Sequence, residues 1–129
     1  MVNSKLFKKI TTKISAETRR IALAFGYSFA GIRAAWVSEG AFRLEVCVAL
    51  FAIPLSLRLS HIPSERALLI GSIFLVLIVE LLNTAVEAAI DRISSEIHPL
   101  SKIAKDVASG AVLLSIINTF IVWLVILWN

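Results

Sequence analysis

VASGAVLLSIINTFIVWLVILW, residues 107–128, is a run of 22 residues without a formal charge. As a helix it would measure about 33 Å, enough to cross a hydrocarbon core of about 30 Å. It is the clearest membrane span in the chain, and it makes lipid the solvent in which the rest has to be read. The composition agrees: of 129 residues 58% are hydrophobic and 17% charged, with a mean hydropathy of +0.87, whereas a soluble domain carries about a quarter charged residues. A core as small as this length allows cannot hide so much apolar surface from water. Length and apolar composition exclude a two-domain enzyme, a disordered regulator and a disulfide scaffold, and with Cys47 the only cysteine no intrachain bridge is possible.

Upstream of this run, a polar loop at about Ile93 to Leu100 precedes the span, and a second helix is expected at about Glu65 to Arg92. That helix opens with 13 nonionic residues, Ala67 to Val79, before Glu80. The turn Arg58 to Arg66, with His61, Pro63 and Ser64, reads as a loop between antiparallel helices, Ser64 being the expected N-cap. A further span is expected from about Ala34 to Leu57. Its uncharged part, Val46 to Leu57, is only about 18 Å long, so Glu39, Arg43 and Glu45 must sit near one interface or inside a bundle. Pro54 falls where a kink or an early end is tolerable. At the N-terminus, Leu6, Phe7, Ile10 and Ile14 fall on one side of a helix among Lys5, Lys8, Lys9 and Lys13, the pattern of a basic helix lying on a membrane surface. Ile21 to Ile32 has the look of a signal-peptide core, but Gly26, Tyr27 and Ser28 interrupt it and Arg33 follows, so the segment is kept as part of the protein. The expected organisation is an all-α membrane protein: a basic amphipathic surface arm over 1–33 and a three-helix transmembrane domain over 34–129.

Residues 1–43 hold eight basic and two acidic side chains, a net +6, against −2 for the remainder. The arm and the second loop, with Arg92, Lys102 and Lys105, therefore belong on the cytoplasmic side. Contact with anionic headgroups follows more directly than contact with nucleic acid, which is not expected as a partner. Trp36, Trp123 and Trp128 lie near expected helix ends, where indole rings anchor at the interface.

Glu80, Asn83, Thr84, Glu87 and Asp91 recur at helical spacing and form one polar stripe on the second helix. An ionised carboxylate in a bilayer costs at least about 2.5 kcal/mol, so the stripe needs partners or a purpose. Pairing with Arg33 or Arg43 is the structural explanation. Counting inward from Arg66, Glu80 lies about 21 Å and Glu87 about 31 Å along the helix, while Glu39 lies about 27 Å from Leu57. Glu39 and Glu87 can thus meet near the cytoplasmic boundary as oxygen ligands for Mg²⁺. Glu80, deeper, is suited to take a proton from a lipid hydroxyl. Lys102, Lys105, Asp106 and Ser109 share one face of the third helix. A lysine there can neutralise phosphate, or it can snorkel to headgroups. Tyr27 could stack on a base or anchor the arm. Ser115, Asn118 and Thr119 fit helix–helix contacts. No Gly-rich phosphate loop, dinucleotide fingerprint, HExxH or GxSxG motif is present, so helix ends would have to hold a nucleotide. A rival reading from another class is a small ion- or proton-conducting subunit with the glutamate stripe lining its pathway.

The run Glu80-Leu-Leu-Asn-Thr-Ala-Val-Glu87, followed by Asp91, His98-Pro-Leu, Ala104-Lys-Asp106 and Ser109-Gly-Ala-Val112, closely resembles the small bacterial integral-membrane diacylglycerol kinase family. Gly26-Tyr-Ser28, Gly31-Ile-Arg-Ala-Ala-Trp36, Glu39, Ala41-Phe-Arg43 and Glu45 resemble its Gram-negative branch. His98-Pro99-Leu100 looks instead like the undecaprenol kinase branch. The likeness covers about residues 20 to 128. It implies a homotrimer in the bacterial inner membrane, N-terminus cytoplasmic, that passes the γ-phosphoryl of MgATP to diacylglycerol, with undecaprenol as the alternative acceptor. It implies Glu39 and Glu87 as metal ligands, Glu80 as base supported by Asn83, and Lys105 and Asp106 as nucleotide-phosphate contacts. Arg20, Tyr27, Glu96 and His98 match other nucleotide-contacting positions; Arg20 is also matched, with Glu80, to lipid contact, and Arg33, Trp36, Arg43, Glu45 and Ser109 match lipid-side positions.

Overall fold

The structure, a computed structural model, describes residues 4–93 and 98–128, with side chains from Lys9 onward. Every element is helical: α1 (Ser4–Ser38), α2 (Gly40–Leu59), α3 (Pro63–Ile93) and α4 (Pro99–Trp128). By length and composition all four are long and apolar enough to cross a bilayer, α1 through its stretch Lys9–Ser38. The chain divides into two compact units, Met1–Ala34 and Ala35–Asn129. Gly26 and Gly31 do not interrupt α1, and no glycine among the described residues takes a positive φ. In the first unit Arg20 pairs with Glu17 at 3.3 Å, and Ile10, Ile14, Ile21 and Phe25 are exposed.

The span expected to run unbroken from Ala34 to Leu57 is instead interrupted at Glu39. This residue is extended (φ −106°, ψ 117°), ends α1 and serves as the N-cap of α2 without a side-chain capping bond. Arg43 explains how the break is held. Its Nη1 donates to the carbonyls of Trp36 at 2.9 Å and Val37 at 3.1 Å, two of the acceptors that the end of α1 leaves unpaired. A same-face Glu39–Arg43 ion pair is therefore not formed. Downstream, α2 runs on through Pro54 to Leu59.

The α2–α3 turn is shorter than the expected Arg58 to Arg66: α2 continues to Leu59 and α3 starts at Pro63, so Ser64 lies inside its first turn rather than at the cap. Proline suits a first helical position because its fixed φ is helical and its missing N–H would be unpaired there. Ser60 does the work expected of Ser64. It is buried, its Oγ donates to Glu65 Oε2 at 2.6 Å, and it accepts from the Ile62 N–H at 3.1 Å. Arg66 closes the end of α2 by donating from Nε to Ser60 O at 2.7 Å and from Nη2 to Leu57 O at 3.0 Å.

α3 packs against both α2 and α4. Its buried residues, Leu69, Ser72, Ile73, Val76 and Glu80, lie at helical spacing and make a stripe. Phe42, Ala49 and Ser56 are buried on α2 and Ser115 on α4. Small residues at several of these positions let the helices approach closely, the usual means of association when lipid removes the hydrophobic drive. Thr119 ties α4 to α3, its Oγ1 placed 3.0 Å from both Ser115 O and Ser72 O.

Leu69 is fully buried, while its neighbour Leu68 is 57% exposed. Leu69→Ala is expected to cost about 2 kcal/mol of stability, the low end for a core truncation because only packing is lost in lipid. Leu68→Ala should lie within about 0.5 kcal/mol of the parent. Equilibrium unfolding in mixed micelles reads both.

Candidate functional site

The polar stripe of α3 begins at its buried end with Glu80, which is 3% exposed. Its carboxylate forms no hydrogen bond or ion pair among the described residues, and the charges of Glu39 and Glu87 act on it. Glu80 in turn acts on Glu45, six residues along the chain from the Glu39 break. Carboxylates from the start of α2 and from the middle of α3 are thereby gathered within electrostatic reach of one another. Arg43 does not pair with them. Ion pairs among the described residues are Arg20–Glu17, Lys102–Asp106 and Lys105–Asp91. Pairing with Arg43 is thus not how the acids are held.

Asn83 bridges the stripe by donating from Nδ2 to Glu87 Oε1 at 3.4 Å. Its Oδ1 is buried with no partner, an unusual cost for an amide oxygen. Thr84 is used locally, donating to the Glu80 carbonyl at 3.0 Å. From α4, Lys105 Nζ reaches Asp91 Oδ1 at 2.5 Å and also feels Glu87. Lys102 stays on its own helix, 2.5 Å from Asp106 Oδ2. His98 accepts the Leu100 N–H on Nδ1 at 3.2 Å and so caps α4. That bond leaves the proton of the neutral ring on Nε2.

Of the residues singled out in the sequence, the second unit thus brings Glu39, Glu45, Glu80, Asn83, Glu87 and Lys105 into one electrostatic neighbourhood. Trp36 and Ser109 are exposed, as is Arg43 in its capping role. Arg20, Tyr27 and Arg33 belong to the first unit and are exposed there. Glu96 lies outside the described residues. Among those described, no three His, Cys, Asp or Glu side chains converge as a metal cluster. The carboxylates of Glu39 and Glu87 could serve a hard cation, and Asn83, which bonds Glu87, holds a buried Oδ1 without a partner.

One feature of the site was not read from the sequence. Leu44, Glu45, Val48, Ala52, Ile73, Val76, Leu77, Ile116, Thr119, Phe120 and Trp123 enclose an apolar cleft of about 390 Å³ between α2, α3 and α4. Two buried polar atoms of its lining have no partner, Glu45 Oε2 and Trp123 Nε1. Trp123 was expected to be an interfacial anchor. Its spacing from Ser115 and Thr119, eight and four residues, was the available signal that it shares their inward face.

The sequence profile of prokaryotic diacylglycerol kinase matches residues 26–127. The chain is 50% identical over 110 residues to a diacylglycerol kinase of Escherichia coli strain K12, covering 85% of this chain and 90% of the relative. It is 47% identical over 109 residues to one from Pseudomonas aeruginosa, covering 84% and 89%. A Helicobacter pylori diacylglycerol kinase is 43% identical over 105 residues, covering 81% and 82%.

Crowded acids destabilise the fold that holds them. Glu45→Gln removes one charge and is expected to raise stability by about 1 kcal/mol in chemical or thermal unfolding. Arg58→Gln, at an exposed position outside the cluster, should stay within about 0.5 kcal/mol of the parent.

Proposed function

We propose, since this chain belongs to the prokaryotic diacylglycerol kinase family, that it transfers the γ-phosphoryl group of ATP to diacylglycerol and releases ADP and phosphatidic acid. The observation that carries this reading is the gathering of Glu39, Glu45, Glu80 and Glu87 opposite Lys105, where helices otherwise present apolar side chains. Such an arrangement is costly unless cations and phosphates complete it.

The diacylglycerol hydroxyl is neutral and needs its proton removed as its oxygen attacks the γ-phosphorus. Glu80, buried and unpaired, is the base that accepts this proton while the bond from the γ-phosphorus to the bridging oxygen breaks. Asn83 orients Glu87 through its amide. Glu39 and Glu87 are the carboxylates that would hold Mg²⁺, and the free Oδ1 of Asn83 adds a third hard oxygen; the ion, when bound, supplies charge neutralisation on the phosphates. Lys105 meets phosphate charge from the α4 side. Asp106 and the α4 cap at His98 belong to the nucleotide side by resemblance, as do Arg20, Tyr27 and Glu96. Arg33, Trp36, Arg43, Glu45 and Ser109 belong to the lipid side on the same ground, and so does Arg20.

The reading places α2, α3 and α4 across the bacterial inner membrane and α1 along its cytoplasmic surface, with three copies forming the working unit. The sequence supports the surface placement: Lys9, Lys13 and Arg20 project from one side of a helix and Ile10, Ile14 and Ile21 from another. The +6 charge of residues 1–43 supports the orientation. Broad exposure of large apolar side chains on α2 and α4 supports both lipid and subunit contact.

Purified protein in mixed micelles with MgATP should form phosphatidic acid from diacylglycerol and little product from undecaprenol supplied in parallel. Product from undecaprenol alone would reassign the acceptor. Glu80→Gln should lower turnover by about a thousandfold with nucleotide binding retained; turnover near the parental rate would remove Glu80 as base.

A further inference from the structure

We infer that Asp91 is a positioning residue for the transfer reaction: it holds Lys105 of α4 against the acidic stripe of α3, where the ammonium can meet nucleotide phosphate. The inference rests on the proposed role of Lys105 and extends it to a residue to which that role assigns nothing.

The geometry is specific. Lys105 Nζ lies 2.5 Å from Asp91 Oδ1, and the two residues are 14 apart in sequence on different helices. The other two ion pairs among the described residues join neighbours within one helix, at i,i+3 and i,i+4. Asp91 is the next member of the stripe after Glu87, four residues on, and Glu87 also attracts Lys105. A lysine side chain has four rotatable bonds and loses much conformational freedom when ordered. Without Asp91 its ammonium would sweep water and headgroups. With Asp91 it is confined within electrostatic reach of Glu87, the carboxylate assigned to the metal. An ammonium carries three N–H donors. Asp91 uses one and leaves two for phosphate oxygens, so anchoring need not compete with binding. Lys102 is directed to Asp106 on its own helix instead.

A mere clamp between α3 and α4 is the other use of such a pair. The side chains are 37% and 65% exposed, and ion pairs this open to water add little to stability. The two roles therefore separate in measurement. With the full chain in mixed micelles, saturating diacylglycerol and varied MgATP, Asp91→Asn should lower kcat by about tenfold or more while the unfolding midpoint stays at the parental value. Asp91→Glu should recover part of the loss. In a Lys105→Ala background, Asp91→Asn should add no further loss, since the group it positions is gone. Parental kcat in Asp91→Asn overturns the positioning role, and so do losses that multiply in the double variant or that track loss of folded protein. If Asp91→Asn does not fold, Asp91→Glu carries the test: reduced kcat at parental stability supports positioning, and parental kcat overturns it. Full turnover in Lys105→Ala would instead sink the assignment of Lys105 to phosphate, a separate failure.

Discussion

Acidic side chains in a lipid-facing bundle repel one another, resist desolvation and find few partners, and every other feature of the second unit accommodates that difficulty. Glu80 is buried on the packed face of α3. Glu39 sits where the backbone leaves helical geometry between α1 and α2. Glu87 is steadied by Asn83, and the stripe ends in Asp91, the member that meets a lysine. Removing the acids would make a better-packed protein. Their retention is intelligible when a cation and a polyphosphate supply the missing counter-charge during catalysis, so that the stability forgone in the resting chain is the source of binding strength for the reactants.

Much of this was legible in the sequence. The 22-residue charge-free run of α4 exceeds what a small soluble core uses, and the loops between the spans carry proline and polar residues. The stripe from Glu80 to Asp91 follows from helical periodicity alone, because spacing of three and four residues fixes a face. The family could be recognised for the same reason: its motif is itself a face of one helix together with the start of another.

What was not legible involves partners rather than faces. Periodicity says that Glu45 and Trp123 each point somewhere, but not that both border the same cleft between α2 and α4. Lys105 could equally have reached a headgroup; only the packing of α4 on α3 brings it to Asp91. The break at Glu39 was missed because Ala34 to Leu57 is apolar enough to read as one helix. The decisive factor there is Arg43, whose guanidinium satisfies the carbonyls that a broken helix leaves bare. Ser64 reads as a cap by residue type alone, which does not anticipate that Pro63 already occupies the first helical position.

The turn fastened by Arg66 has a mechanical side. Its bonds to Leu57 and Ser60, with Ser60 held by Glu65, join α2 to α3 at the end remote from the acids. Two stiff rods pinned at one extremity behave as a pair of compasses. Over the distance of about 27 Å from Leu57 back to Glu39, a change of about 5° in their inclination would open or close the far gap by about 2.4 Å. Bulk at small buried positions of α2 such as Ala49 and Ser56 would, on this geometry, alter the spacing between the carboxylates of α2 and those of α3.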